Sequence, residues 1–171
     1  MSCVSFSGGI SKTCDNNIGG VIKLYITDFD NVLSVTASGG TVSSITMATA
    51  SSFYEFVFNR NSATYTEDLV KSVEAGSALF EQTLTVTIPK REVSKRNTLA
   101  LLTQRDLAVI FEDANGLYWF PGKNEGLYLS ESTSTSGTAR ADGSNYVITL
   151  KGFEVDRAEG VTGAIVPALV A

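Results

Sequence analysis

Residues 80–104, FEQTLTVTIPKREVSKRNTLALLTQ, constrain the fold of this chain more than any other stretch. Phe80, Gln82, Leu84, Val86 and Ile88 alternate with Glu81, Thr83, Thr85 and Thr87, the period of a strand with one dry face and one wet face. Pro89 has no N–H to donate to a ladder and ends the strand. The next segment, 91–104, lacks Gly and Pro and is rich in Glu, Lys, Arg, Ala and Leu, so it predicts the one helix of the chain. On that helix Val93, Leu99, Ala100 and Leu102 are expected to face a sheet, leaving Lys95, Arg96 and Arg105 in water.

The remainder reads as strands and turns. Residues 1–17 are polar and small and carry no periodicity, which predicts an arm that is flexible in isolation. A first strand is expected over 21–27, with Ile22, Leu24 and Ile26 on one face and Lys23 and Tyr25 on the other. Asp28-Phe29-Asp30-Asn31 reads as a turn, because short Asx side chains bond their own backbone. Weak alternation around 42–47 predicts a short strand. Two runs, FYEFVFN over 53–59 and ATYTEDLV over 63–70, are joined by Arg60-Asn61-Ser62 and predict a β-hairpin. Apolar residues on both faces of the first run predict burial on both, either inside a sandwich or under a neighbouring subunit. Residues 71–78 read as a loop.

Beyond the helix, 106–113 (DLAVIFED) and 117–120 (LYWF) flank Asn115-Gly116, the strongest hairpin signal in the chain. A short strand over 126–131, a polar loop over 132–144 and a strand over 146–154 complete a domain spanning 18–157. The expected fold is therefore mainly β: an antiparallel β-sandwich or barrel of about eight strands with one flanking helix. The tail, 158–171, is apolar at Val161, Ile165, Val166 and Leu169. It is too short and interrupted to span a bilayer, so it is expected to contact another subunit and no membrane.

Chemistry is sparse. The chain has no His, its 18 acids exceed its 13 bases for a net charge of −5, and nothing in it resembles a phosphate-cradling Gly loop or a GxSxG elbow. No enzyme activity and no cofactor are expected, and a net negative charge argues against gripping nucleic acid through its phosphates. Glu112-Asp113 and Asp28/Asp30 flank turns and read as turn formers. Cys3 and Cys14 lie 11 positions apart in the arm; they read as two free thiols or as a disulfide formed in an oxidising medium. The first ten residues carry no secretory signature, an expectation of retention where the chain is made.

The succession FYEFVFN, then FEQTLTVTIPKREVSKRNTLALL, then DLAVIFEDANGLYWFPGKNEGLYL, then a Gly/Ser/Thr loop and YVITLKGFE resembles virion structural proteins of tailed phages, in particular the tail-tube and tail-ring group of Bacteroidetes-type phages. The likeness runs from about Gly20 to Glu154 and lies in the order of elements. It implies a β-sandwich or barrel with one helix, and subunits closing into rings of roughly six or twelve around a channel that passes DNA without binding it. It further implies other tail, portal or connector proteins as partners, and a virion tail assembled in the host cytoplasm. The C-terminal segment 160–171 departs from the simplest tube proteins and suggests a specialised ring beside the portal.

Under that resemblance the candidate subunit contacts are Phe53, Tyr54, Phe56, Phe58 and Tyr65 of the expected hairpin. Lys95 and Arg96 of the helix, and Val161, Ile165, Val166 and Leu169 of the tail, complete the set. Two other readings stand beside it. One is a capsid-decorating or fibre-attachment domain. The other is a carbohydrate-binding sandwich with Tyr118, Trp119 and Tyr128 as stacking aromatics.

Overall fold

The computed structural model describes residues 8–12 and 14–171; Cys3 and the start of the arm lie outside them. Among the described residues, eleven strands form two sheets. The strands are β1 (Val21–Asp28), β2 (Val32–Ser38), β3 (Thr41–Met47), β4 (Tyr54–Phe56), β5 (Ala63–Ser72), β6 (Ser77–Pro89), β7 (Leu107–Asp113), β8 (Tyr118–Phe120), β9 (Tyr128–Thr135), β10 (Asn145–Glu154) and β11 (Glu159–Val161), with helices α1 (Val93–Leu102) and α2 (Val166–Leu169). One sheet runs β2-β3-β11-β8-β7-β1-β4 and the other β5-β6-β10-β9. The chain is a mainly β, sandwich-like fold with a flanking helix, as the periodicities predict.

The organising strand behaves as expected. β6 pairs with β5 on one side and β10 on the other, and its inward row of Gln82, Leu84, Val86 and Ile88 is buried. β10 supplies the matching row of Tyr146, Ile148 and Leu150. These rows pack on Leu24 and Ile26 of β1, on Leu107, Val109 and Phe111 of β7, and on Leu99 and Leu102 of α1. Val93 and Ala100 do not join them. Both are exposed, because the helix touches the core only through the turn carrying Leu99 and Leu102.

A second core lies on the opposite face of the seven-stranded sheet, where Tyr25, Ala108 and Ile110 meet Val42, Ile45, Phe53, Phe120, Val161 and Val166. This explains why 107–111 is apolar at every position: β7 is buried on both faces. It also corrects β1. A bulge between Val21 and Lys23 turns Ile22 out to solvent, while Tyr25 goes into the second core.

Four further expectations change. The runs 53–59 and 63–70 do not form a hairpin: β4 pairs with β1 at the edge of the large sheet, whereas β5 pairs with β6 in the small one. The link 57–62 crosses between sheets. The hairpin lies one connection later, β5–β6, with 73–76 as its turn in place of a 71–78 loop. Ser132 to Thr135 belong to β9, because β10 offers a ladder to a segment whose side chains can all stay wet.

The fourth change concerns the tail, which is part of the domain. β11 lies between β3, parallel, and β8, antiparallel. Phe53 N–H donates to the Leu169 carbonyl (2.8 Å) and Ala171 N–H to the Phe53 carbonyl (3.0 Å). The apolar stripe of 158–171 is thus covered by its own chain.

Candidate functional site: an edge strand beside a helix, and an aromatic cleft

α1 is set by the chain reversal after β6. Lys90 adopts a left-handed backbone (φ 61°). The Lys95 ammonium reaches back to donate to the carbonyls of Pro89 (2.7 Å) and Lys90 (3.2 Å), and pairs with Glu92 at 3.5 Å. Lys90 pairs with Glu92 at 2.8 Å, which lowers the Glu92 carboxyl and raises the Lys90 ammonium. Arg105 pairs with Asp28 at 2.7 Å, and the Arg91 guanidinium lies 6.0 Å from the centroid of the Tyr146 ring. Much of the basic cluster read from the sequence therefore makes bonds within its own chain. Arg96, exposed and bonded to Asn97, is the cation of the helix that points most freely outward.

Along this helix runs β4, the outermost strand of the seven-stranded sheet, paired only to β1. Two hollows flank it. One of about 400 Å³ is walled by Ile26, Tyr54, Phe56, Leu101, Leu102 and Arg105. The other, of about 420 Å³, is walled by Tyr54, Phe56, Val57, Ile88, Lys95 and Leu99. Tyr54 (59% exposed), Val57 (75%) and Leu101 (65%) stand in solvent here.

Of the candidate contacts, the fold brings Tyr54, Phe56 and Lys95 together at this edge. It takes others away. Phe53, Val161 and Val166 are buried in the second core of their own chain, so these three present no free face to a neighbour, while Ile165 and Leu169 are partly buried against that core. Phe58 and Tyr65 pack on the first core. Leu101 has no distinguishing signal in the run Leu99-Ala100-Leu101-Leu102. Leu69 and Val70, exposed toward the end of the β5–β6 hairpin, lie in the run 63–70 that reads as a strand, and Val73, also exposed, lies in the stretch that reads as loop.

A separate cleft of about 620 Å³ opens where β5, the edge of the small sheet, overhangs β1, β7 and β8. β5 contributes Tyr65 and Glu67, β7 Phe111 and Asp113, and β8 Trp119, with Asn17 to Val21 along the rim. The Asn115-Gly116 turn builds this wall. Asp113 Oδ1 accepts from the N–H groups of Asn115 and Leu117, both at 2.9 Å, while Oδ2 accepts from Trp119 Nε1 at 3.0 Å. Asn115 Oδ1 accepts from Ile18 N–H at 2.8 Å, which lays the entering chain along the rim. Opposite, the Tyr65 hydroxyl donates to Glu67 Oε1 (3.2 Å), which also accepts from Ala158 N–H (2.7 Å), and Glu67 Oε2 pairs with Arg157 at 3.0 Å. The rings of Tyr65 and Phe111 are tilted at 42° with centroids 4.7 Å apart. Trp119 alone of the three suggested stacking aromatics lines this cleft; Tyr118 packs on the second core and Tyr128 is exposed on β9.

Burial, and then the adjacent Glu67 charge, push the Tyr65 phenol far above its ordinary value near 10. Since the folded state holds the proton more tightly than the unfolded chain, this contribution to stability is complete below pH ~10 and declines as pH rises further. Tyrosinate absorbance on alkaline titration should thus show Tyr65 ionising only with unfolding. An isolated Tyr65→Phe difference spectrum that titrates before the far-ultraviolet dichroism changes would contradict this.

Compared with protein-family models, with curated proteins and with solved structures, the chain matches none. Its function has to be argued from its own surfaces.

Proposed function

We propose that this protein is a structural subunit of a phage virion tail, closing into rings that form part of the tail tube or of the conduit between head and tail. The observation that carries the reading is the β4 edge, a strand paired to β1 on one side only and flanked by two apolar hollows, with Tyr54, Val57 and Leu101 exposed beside it. An open edge of this kind is a template for pairing with another chain. A ring needs each subunit to present two different patches that meet head to tail and close. The exposed end of the β5–β6 hairpin, on the other sheet, offers a second patch distinct from β4. The resemblance in element order supplies the virion context. The net charge of −5, together with the internal pairing of Lys90, Lys95 and Arg105, suits a conduit that does not retain DNA. No catalytic role is assigned.

Negative-stain imaging of the protein at high concentration tests the proposal. Open-centred rings are expected, and these rings should not retain linear duplex DNA at near-physiological salt. A protein that stays monomeric at all concentrations, or that binds duplex tightly and in a salt-sensitive way, would overturn it.

A further inference from the structure

We propose that the cleft between β5 and the β1–β7–β8 wall is a binding site for a small quaternary ammonium compound, a function independent of ring assembly. Three properties of the lining point there. Its walls are aromatic, from the partly exposed Tyr65 and Trp119 with the buried Phe111 packed against Tyr65, and ring faces carry the negative lobes of their quadrupoles, which attract cations. It holds two carboxylates, Glu67 and Asp113, and among the described residues neither Lys nor Arg lines it. The one neighbouring cation, Arg157, is held outside by Glu67 Oε2 and by the Phe80 ring, over which its guanidinium sits at 4.8 Å. An anionic ligand would therefore meet repulsion with no compensating partner.

The hydrogen bonding then separates a quaternary ammonium from a saccharide. Both Asp113 oxygens, both Glu67 oxygens and Asn115 Oδ1 already accept bonds from the chain, and the Tyr65 hydroxyl already donates one. A sugar needs several unspent donors and acceptors at its hydroxyls. A trimethylammonium group needs none, because it has no N–H; it responds to charge and to ring faces alone. Apart from the exposed hydroxyls of Thr64 and Thr66 and the Asn17 amide at the rim, those are what the side chains of this lining still have to offer. Among the described residues Asp113 has no cationic partner, and its charge is balanced there only by N–H dipoles. At about 620 Å³ the cleft has room for a whole molecule the size of choline, with its head group against Trp119 and Tyr65.

Trp119 is the single tryptophan of the chain and so reports on this site directly. The experiment titrates its fluorescence with choline, and in parallel with 3,3-dimethylbutan-1-ol, which has the same shape without the charge, and with glucose. Choline should give a saturable change at millimolar concentration, with the neutral isostere binding about tenfold more weakly and glucose giving no saturable signal. Asp113→Asn and Tyr65→Leu should each weaken choline binding several-fold. If either variant fails to fold, the comparison between choline and its neutral isostere in the unaltered protein decides by itself. Equal response to the isostere, a saturable response to glucose, or none to choline would overturn the proposal. Ring formation can be scored in the same preparation, so the two readings stand or fall separately.

Discussion

Removal of residues 158–171 should unfold the protein. β11 is hydrogen-bonded on both sides, with Gly160 N–H donating to the Gly40 carbonyl and Thr162 N–H to that of Val42, both at 3.0 Å, and with β8 on the other flank. Its loss separates β2 and β3 from the rest of their sheet. Val161 and Val166 leave the second core at about 1.5–3 kcal/mol each for a buried aliphatic side chain. Ile165 and Leu169, packed against the same core, add part of that amount again. The bonds of the broken ladder contribute roughly 1 kcal/mol apiece. Together these losses rival the whole stability of an ordinary domain, ~5–15 kcal/mol. The truncated chain is expected to lose its cooperative thermal transition by circular dichroism. A soluble product with an unchanged midpoint would show that the tail is a detachable contact arm after all.

Phe53→Asp and Tyr54→Asp, on neighbouring residues, should have opposite effects. Phe53 is fully buried in the second core, and its backbone clasps Leu169 and Ala171, so an aspartate there places an unpaired charge among Val166, Phe120 and their neighbours. The expected cost is several kcal/mol, enough to unfold the chain. Tyr54 points the other way and is largely in solvent. Tyr54→Asp should leave the stability to urea within about 0.5 kcal/mol of the parent while weakening ring formation. A folded Phe53→Asp protein would show that the second core does not depend on the Phe53 ring, and rings unaffected by Tyr54→Asp would remove β4 from the proposed joint.

The aromatic run 53–59 marks how far the residues by themselves could be followed. Alternation correctly separates Tyr54, Phe56 and Phe58 from Phe53, since successive strand residues point to opposite faces. It does not say which of those faces finds cover. Phe53 reads as the end of a strand, open to a partner; it is sealed because Leu169, Val170 and Ala171, far away in sequence, close over it. At the candidate edge, Tyr54, Phe56 and Lys95 could be named from aromatic and basic clustering. Leu101 could not, because its exposure results from the docking of α1 by Leu99 and Leu102. The cleft was less legible still. Tyr65 and Trp119 lie on strands of different sheets, and nothing in their local patterns links them.

Local chemistry determined what local chemistry can: the mainly β class, the inward row of β6, the break at Pro89, the helix after it, and the Asn115-Gly116 turn, where Gly116 takes the positive φ of 82° that such a turn needs. Each rests on a side-chain period, a missing donor or a backbone preference, and all of these act within a few residues. Only the tertiary structure decided which strands pair, that 57–62 crosses between sheets, and that the tail lies within a sheet. A strand's period specifies its faces, while its two edges carry the same backbone N–H and C=O groups whatever the sequence. Choice of neighbour therefore depends on which distant apolar faces can be buried together.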